Sequence, residues 1–294
     1  MQSPEITPLS TDRAQLGESP VWDAAAGVLI WIDSRTGTLF ETDAATGQTR
    51  SHPLPAPVGS VALARGNMLV AALRGAVVLV DRATGQLREL AQTGVNHPDV
   101  RLNDGKADPD GAFVTGTMHI NRAAGQAPLG GLYRLSPTGV LSVLDTGIGV
   151  SNGPAFTPDG RGFYLADSAA RRIWHYRRAR DGSLQGKTLF ADTQALGSAP
   201  DGAALDTGGG LWVAMVHIGA VLRFDPQGRV DRRIDLPLPH PTSLAFGGPD
   251  LRDLFVTSIR DSGRISSDAP LSGGVLRLRG LGVQGAPVFT AAFG

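Results

Sequence analysis

Four short stretches of the chain carry polar residues of types that could hold a cation or move a proton. Leu16-Gly17-Glu18-Ser19-Pro20 sets one acid between Gly and Ser-Pro. Arg101-Leu102-Asn103-Asp104-Gly105-Lys106, Ser151-Asn152-Gly153-Pro154 and Pro200-Asp201-Gly202 carry the others. Asn103 and Asn152 are 49 residues apart, and so are Asn152 and Asp201. If the chain repeats about an axis with that period, Glu18, Asn152 and Asp201 point into one channel, with Asn103 nearby. Two carboxylates and amide oxygens make a hard-oxygen set suited to Ca²⁺, Mg²⁺ or Mn²⁺. Two carboxylates balance a 2+ charge, and three or four protein ligands leave room for water or substrate. The plainer reading is that Asn-Gly and Asp-Gly are turn dipeptides and Glu18 a solvated loop acid, since repeated turns also repeat at fixed spacing. The four stretches nevertheless differ from each other and from the Asp-x-x-Gly turns found elsewhere in the chain.

The elements that must position these residues form a repeat. Short apolar segments followed by Gly-containing turns recur at 28–48, 68–86, 112–118 with 130–140, 162–182, 210–228, and 253–263 with 273–280. Each has a strand of β-branched and aromatic residues, a short break, and an alternating second strand such as Val221-Leu222-Arg223-Phe224. Turns such as Asp81-Arg82-Ala83-Thr84-Gly85 close them, with Asp bonding its own backbone and Gly supplying positive φ. Six units in 294 residues suit blades of four strands. No stretch has a helical period; 191–199 is at most a short turn of helix. The expectation is an all-β, six-bladed β-propeller with four antiparallel strands per blade, as one domain over residues 1–294. The termini are expected to share a blade, with 29–32 and 288–292 as candidates for closing the ring. Trp22, Trp31, Trp174 and Trp212 fall in different units and are expected to pack between blades.

Composition narrows the chemistry. Lys+Arg and Asp+Glu are both 27, so the net charge is zero and a nucleic-acid partner is not expected. The absence of cysteine excludes disulfides, thiolate metal sites and a thiol nucleophile. No Gly-x-Ser-x-Gly elbow and no dinucleotide-binding glycine motif occurs. No apolar run is long enough to span a membrane, and the first residues lack the pattern of a secretory signal, so a cytoplasmic protein is expected. The chain is expected to be a monomer or weak homo-oligomer. Of six histidines, His52, His175 and His240 read as surface or packing residues. His119 and His217 follow strands and are candidates for a pocket wall, while His97 is close in sequence to the Arg101 motif.

Taken together, residues 16–22, 101–111, Gly116-Thr117-Met118, 151–154, 200–202 and 246–250 resemble the gluconolactonase/regucalcin (senescence marker protein) family over about residues 16–280. The resemblance implies a six-bladed propeller that hydrolyses sugar lactones to aldonic acids with one divalent metal in its channel. The family's metal ligands match Glu18, Asn152 and Asp201, and its substrate contacts match Arg101 and Asn103. Some members carry a substrate-contacting acid just after Gly-Thr-Met; His119 stands there, which bears on sugar specificity. The metal is expected to polarise the lactone carbonyl, and Asp201, or a water held by the metal, to supply the activated nucleophile. Oxygen ligands admit Ca²⁺, Mg²⁺, Mn²⁺, Zn²⁺ or Fe²⁺ alike. The rival expectations are a paraoxonase-like lactonase/arylesterase, a phosphotriesterase, and a non-catalytic calcium-binding propeller.

Overall fold

A computed structural model of the chain describes residues 3–95 and 97–294. Among these residues the strands form six four-stranded antiparallel sheets. Their innermost strands pack around a common axis as Gly17–Asp23, Ser60–Leu63, Val100–Ala107, Ser151–Phe156, Pro200–Leu205 and Pro241–Gly247. This is a six-bladed β-propeller. Blade 1 runs outward through Val28–Asp33, Thr38–Asp43 and Thr49–Pro53. The turns follow from sequence chemistry: Asp43 and Asp81 each accept backbone N–H bonds from residues two and three positions on, and Gly47 and Gly85 each take a φ of 72°. The short helical turn expected in 191–199 is a 3₁₀ turn at Gln194–Leu196.

Two expectations are corrected. The termini do meet in one blade, but the ring is closed by Glu5–Pro8, which pairs with Val275–Arg279 as the outer strand of blade 6. Residues 29–32 lie instead in the second strand of blade 1, and 288–292 form no named strand. The C-terminal segment crosses the far end of the channel, bridging Asp206 to Gly285 and Ala64 to Ala291. The apolar segments that open the sequence repeat are also second strands, not first. The true innermost strands carry Gly, Pro and polar residues, which break the alternation that makes a strand readable.

Five of the six innermost strands are bulged near their starts: between Glu18 and Val21, Leu102 and Gly105, Asn152 and Ala155, Pro200 and Ala203, and Pro241 and Leu244. The short strand Ser60–Leu63 pairs without a break. A bulge bends the strand and re-aims its side chains. Here it turns polar residues towards the axis, while the following residues rejoin the apolar packing between blades.

Large side chains fill the wedges between blades. Trp22 stacks on Phe255 of blade 6, and Trp212 of blade 5 meets the edge of Phe246. Trp31 stacks within its own blade on Phe40, and Trp174 is partly exposed with Lys187 above its ring. Polar ties span the same wedges. Buried Arg82, in the second blade's turn, pairs with Asp23 at 2.7 Å and Glu41 at 2.6 Å, both on blade 1. Burial alone would raise the Glu41 carboxyl; bonds from Arg82 and Arg50 overcome this and hold it below its usual 4.5. That stabilisation is complete above pH 4.5 and is lost as pH falls through the lowered folded value. Arg82→Ala leaves two carboxylates without their buried cation and is expected to destabilise by about 3–5 kcal/mol. Denaturant titration at pH 7 checks this through the unfolding midpoint, and the gap between variant and wild type should narrow at pH 4.

Candidate functional site

At the mouth of the channel, side chains latch the innermost strands of blades 1 and 4 at their starts. Asp33, which ends the second strand of blade 1, accepts the N–H groups of Gln15 at 2.8 Å and Leu16 at 3.3 Å. Asp167 does the same in blade 4, accepting from Gly149 at 3.1 Å and Val150 at 3.2 Å. These bonds hold the approaches to Glu18 and Asn152. Ser19 adopts a φ of 48°, and its hydroxyl accepts the Val61 N–H at 2.9 Å from the neighbouring blade. Glu18 is thereby left facing the axis. Gly153 has a φ of 55°, and a Cβ there would lie 2.6 Å from the Asp201 carbonyl oxygen, so the close approach of blades 4 and 5 requires glycine.

The structure brings together Glu18, Asn152, Asp201, Asn103 and Arg101. Arg101 donates to Asn103 Oδ1 at 2.9 Å. Asn103 Nδ2 donates to the Ser151 carbonyl at 2.9 Å and to Asn152 Oδ1 at 2.5 Å. Asn152 Nδ2 donates to Ser168 Oγ at 2.8 Å, and that hydroxyl donates to the Pro200 carbonyl at 2.6 Å. The chain of bonds fixes the Asn152 amide with its oxygen towards Asn103 and the axis. Asp201 is buried, and its Oδ1 has no hydrogen-bond partner.

Burial, then the charges of Asp201 and Asp104, push the Glu18 carboxyl well above its usual range. Burial, then the charge of Asp104, does the same to Asp201. Burial lowers Arg101 to about 10, against the opposing pull of Glu18 and Asp104. Acidic groups crowded into a buried channel, one with an orphaned oxygen, carry more negative charge than Arg101 alone offsets. A divalent cation fits: the donors are hard oxygens, and two carboxylates balance its charge. Glu18, Asn152 and Asp201 are the residues that would hold it. Among the described residues no three His, Cys, Asp or Glu side chains cluster as a ligand set; Asn152 would add an amide oxygen to the two carboxylates.

Two further charged residues, Asp104 and Lys106, lie deeper in the channel, where the sequence motifs assign no role. Asp104 Oδ2 accepts the Gly153 N–H at 2.9 Å, and Lys106 Nζ donates to the Ala203 carbonyl at 2.9 Å. Burial lowers the Lys106 amine to about 8, partly offset by Asp104. Both line an inner cavity of about 60 Å³ whose floor is residues 286–289 of the C-terminal segment. Their signal in the sequence is a pair of charged residues on a strand that faces no solvent.

His119 is not brought into the group. Its strand partner is Val100, whereas Arg101 pairs with Met118, so His119 lies on the opposite face from Arg101. It is buried with its ring edge-on to His97 at 5.9 Å, and its Nδ1 has no hydrogen-bond partner. The exposed His217 lies in a separate surface groove with Pro237 and Pro239.

Residues 16–260 match the family model described as the SMP-30/gluconolactonase/LRE-like region. The chain belongs to the SMP-30/gluconolactonase family. It is 38% identical over 272 residues to a 6-deoxy-6-sulfogluconolactonase of Pseudomonas putida, covering 90% of this chain and 91% of that one. It is 34% identical over 263 residues to a pentonolactonase of Haloferax volcanii, covering 88% and 86%. A solved structure of a calcium-binding regucalcin from Agrobacterium tumefaciens superposes with a TM-score of 0.88 at 28% identity, covering 100% of this chain and 97% of that one. No helix among the described residues is long and apolar enough to cross a membrane.

The raised Glu18 and Asp201 carboxyls give the metal-free protein a distinctive pH response. Their contribution to stability is full below the ordinary values of 4.5 and 3.8 and is lost as pH rises through the folded values. Chelated protein at pH 7 should therefore melt lower than after addition of Ca²⁺ or Mn²⁺. Glu18→Gln should flatten both the pH slope of the chelated protein and its response to metal. Calorimetric melting from pH 5 to 8, with and without chelator, measures both.

Proposed function

We propose that the protein is a metal-dependent sugar lactonase that opens an aldono-lactone to its aldonic acid. The observation that carries this is the convergence of Glu18, Asn152 and Asp201 at the channel mouth, with the Asp201 Oδ1 buried and without a partner. Relatives named 6-deoxy-6-sulfogluconolactonase and pentonolactonase support the substrate class. The regucalcin described as calcium-binding supports a divalent ion, without distinguishing Ca²⁺ from Mg²⁺, Mn²⁺, Zn²⁺ or Fe²⁺.

Glu18, Asn152 and Asp201 would hold a divalent ion, which would supply Lewis-acid polarisation of the ester carbonyl. The chain's own groups do the rest. Asp201 Oδ1, buried and without a hydrogen-bond partner among the described residues, takes a proton from the attacking water. Water oxygen bonds to the carbonyl carbon, the ring carbon–oxygen bond breaks, and the proton held at Asp201 passes to the departing ring oxygen, which leaves as a hydroxyl. The acid formed then ionises and releases one proton. Arg101 and Asn103, locked to each other, orient the sugar hydroxyls and limit the poses in which the carbonyl can lie near Asp201. The enzyme is proposed to act in the cytoplasm as a monomer or weak homo-oligomer.

A pH-indicator assay on a panel of aldono-1,4- and 1,5-lactones tests the reading, with spontaneous hydrolysis subtracted. Chelated enzyme should be inactive and single metals should restore it. Asp201→Asn should lower kcat by about 100-fold or more. Folded, metal-replete protein that turns over no lactone would overturn the assignment and leave the calcium-binding propeller. Preference for aryl esters or phosphotriesters would move it to those hydrolases.

A further inference from the structure

Positive charge gathers on one side of the channel mouth. A cavity of about 420 Å³ opens beside the carboxylates, within the size range of small-molecule sites. Four arginines line it: Arg35, Arg74, Arg101 and Arg264. They come from four blades. Arg35 follows Val28–Asp33, Arg74 follows Met68–Ala72, Arg101 lies in Val100–Ala107, and Arg264 lies on the excursion between Asp253–Ser258 and Val275–Arg279. No carboxylate is among the described lining residues.

The partners of these arginines separate them into two kinds. Arg35 is paired with Asp261 at 2.8 Å, and Arg101 is engaged by the charges of Glu18, Asp104 and Asp201. Arg74 and Arg264 have no carboxylate partner among the described residues. Arg74 donates to the Pro98 carbonyl at 2.5 Å. Arg264 donates to the Ile120 carbonyl and to Asn121 Oδ1. Neutral acceptors hold each guanidinium in place without cancelling its charge, and they leave some of its five N–H donors free. Arg74 is also near enough to Arg101 for their like charges to repel. In a chain of zero net charge, gathering cations from four blades around one cavity has an electrostatic cost that an anion would relieve. The arginine fork matches sulfonate, phosphate and carboxylate oxygens in paired hydrogen bonds.

We infer that this cavity receives the charged end of an anionic substrate: a sugar lactone bearing a sulfonate, phosphate or carboxylate remote from the ring carbonyl, gripped by Arg74 and Arg264. The inference rests on the lactonase reading and names the substrate class for it. Neutral lactones would fill the metal end of the site and leave the arginine end to water.

The test compares kcat/KM for neutral gluconolactone with its 6-sulfo, 6-phospho and 6-carboxylate counterparts, at low and high ionic strength. At least one charged lactone should exceed the neutral one by about tenfold or more, and the best arm identifies the anion. The charged-to-neutral ratio should fall with salt. It should also fall by about tenfold in Arg74→Gln and in Arg264→Gln, and approach one in the double variant. The ratio does not depend on how much of a preparation is folded, so an unstable variant still discriminates between the outcomes. Neutral lactones turned over as fast as charged ones, or a ratio indifferent to both substitutions, would overturn this inference while leaving the lactonase intact. Hydrolysis of neither kind would remove both.

Discussion

Glu18 and Asp201 are held close enough across the channel for each to raise the free energy of the other's charge, with Asp104 adding to both. Much of the architecture near the axis serves to maintain this unfavourable arrangement. An isolated pair of carboxylates would swing apart into water. Here Glu18 and Asp201 are carried on separate blades whose spacing is set by apolar wedges and by buried ties such as Arg82 to Asp23 and Glu41. A compact dication between the two carboxylates would relieve that repulsion.

The bulges are the means by which a β-sheet can do this. A regular strand alternates strictly, so a residue can face either the axis or the interblade core. Five innermost strands insert an irregularity where the chain passes the channel mouth, and four of those carry the site's polar residues. The strands then continue into apolar packing. Asp33 and Asp167 latch the segments that lead into Glu18 and Asn152, so the side chains that face the axis are anchored from behind. Site precision therefore comes from backbone bonds that never touch the axis.

Along the axis the channel divides by polarity. The carboxylates and Asn152 occupy the mouth, with a basic cavity beside them. Asp104 and Lys106 form a buried charged layer beneath, and residues 286–289 close the floor.

The repeat and the six blades were legible in the sequence, which also singled out Glu18, Asn103, Asn152 and Asp201 as candidates. Turn chemistry is local, and motifs at one period in a closed repeat must gather about its axis. Other features were decided only by tertiary structure. The innermost strands read in sequence as mere preludes to strands, because bulges, Gly and Pro erase the alternation that identifies a strand. Ring closure by Glu5–Pro8 is illegible because its pairing to Val275–Arg279 joins opposite ends of the chain, where no local pattern reports the partner. His119 follows the motif that pairs with Arg101, yet a strand's two faces differ by one residue, and only the register with Val100 shows which face it takes. The rim of arginines is the clearest case. Arg35, Arg74 and Arg264 are ordinary residues singly, and the field they share with Arg101 exists only because four blades bring them to one cavity.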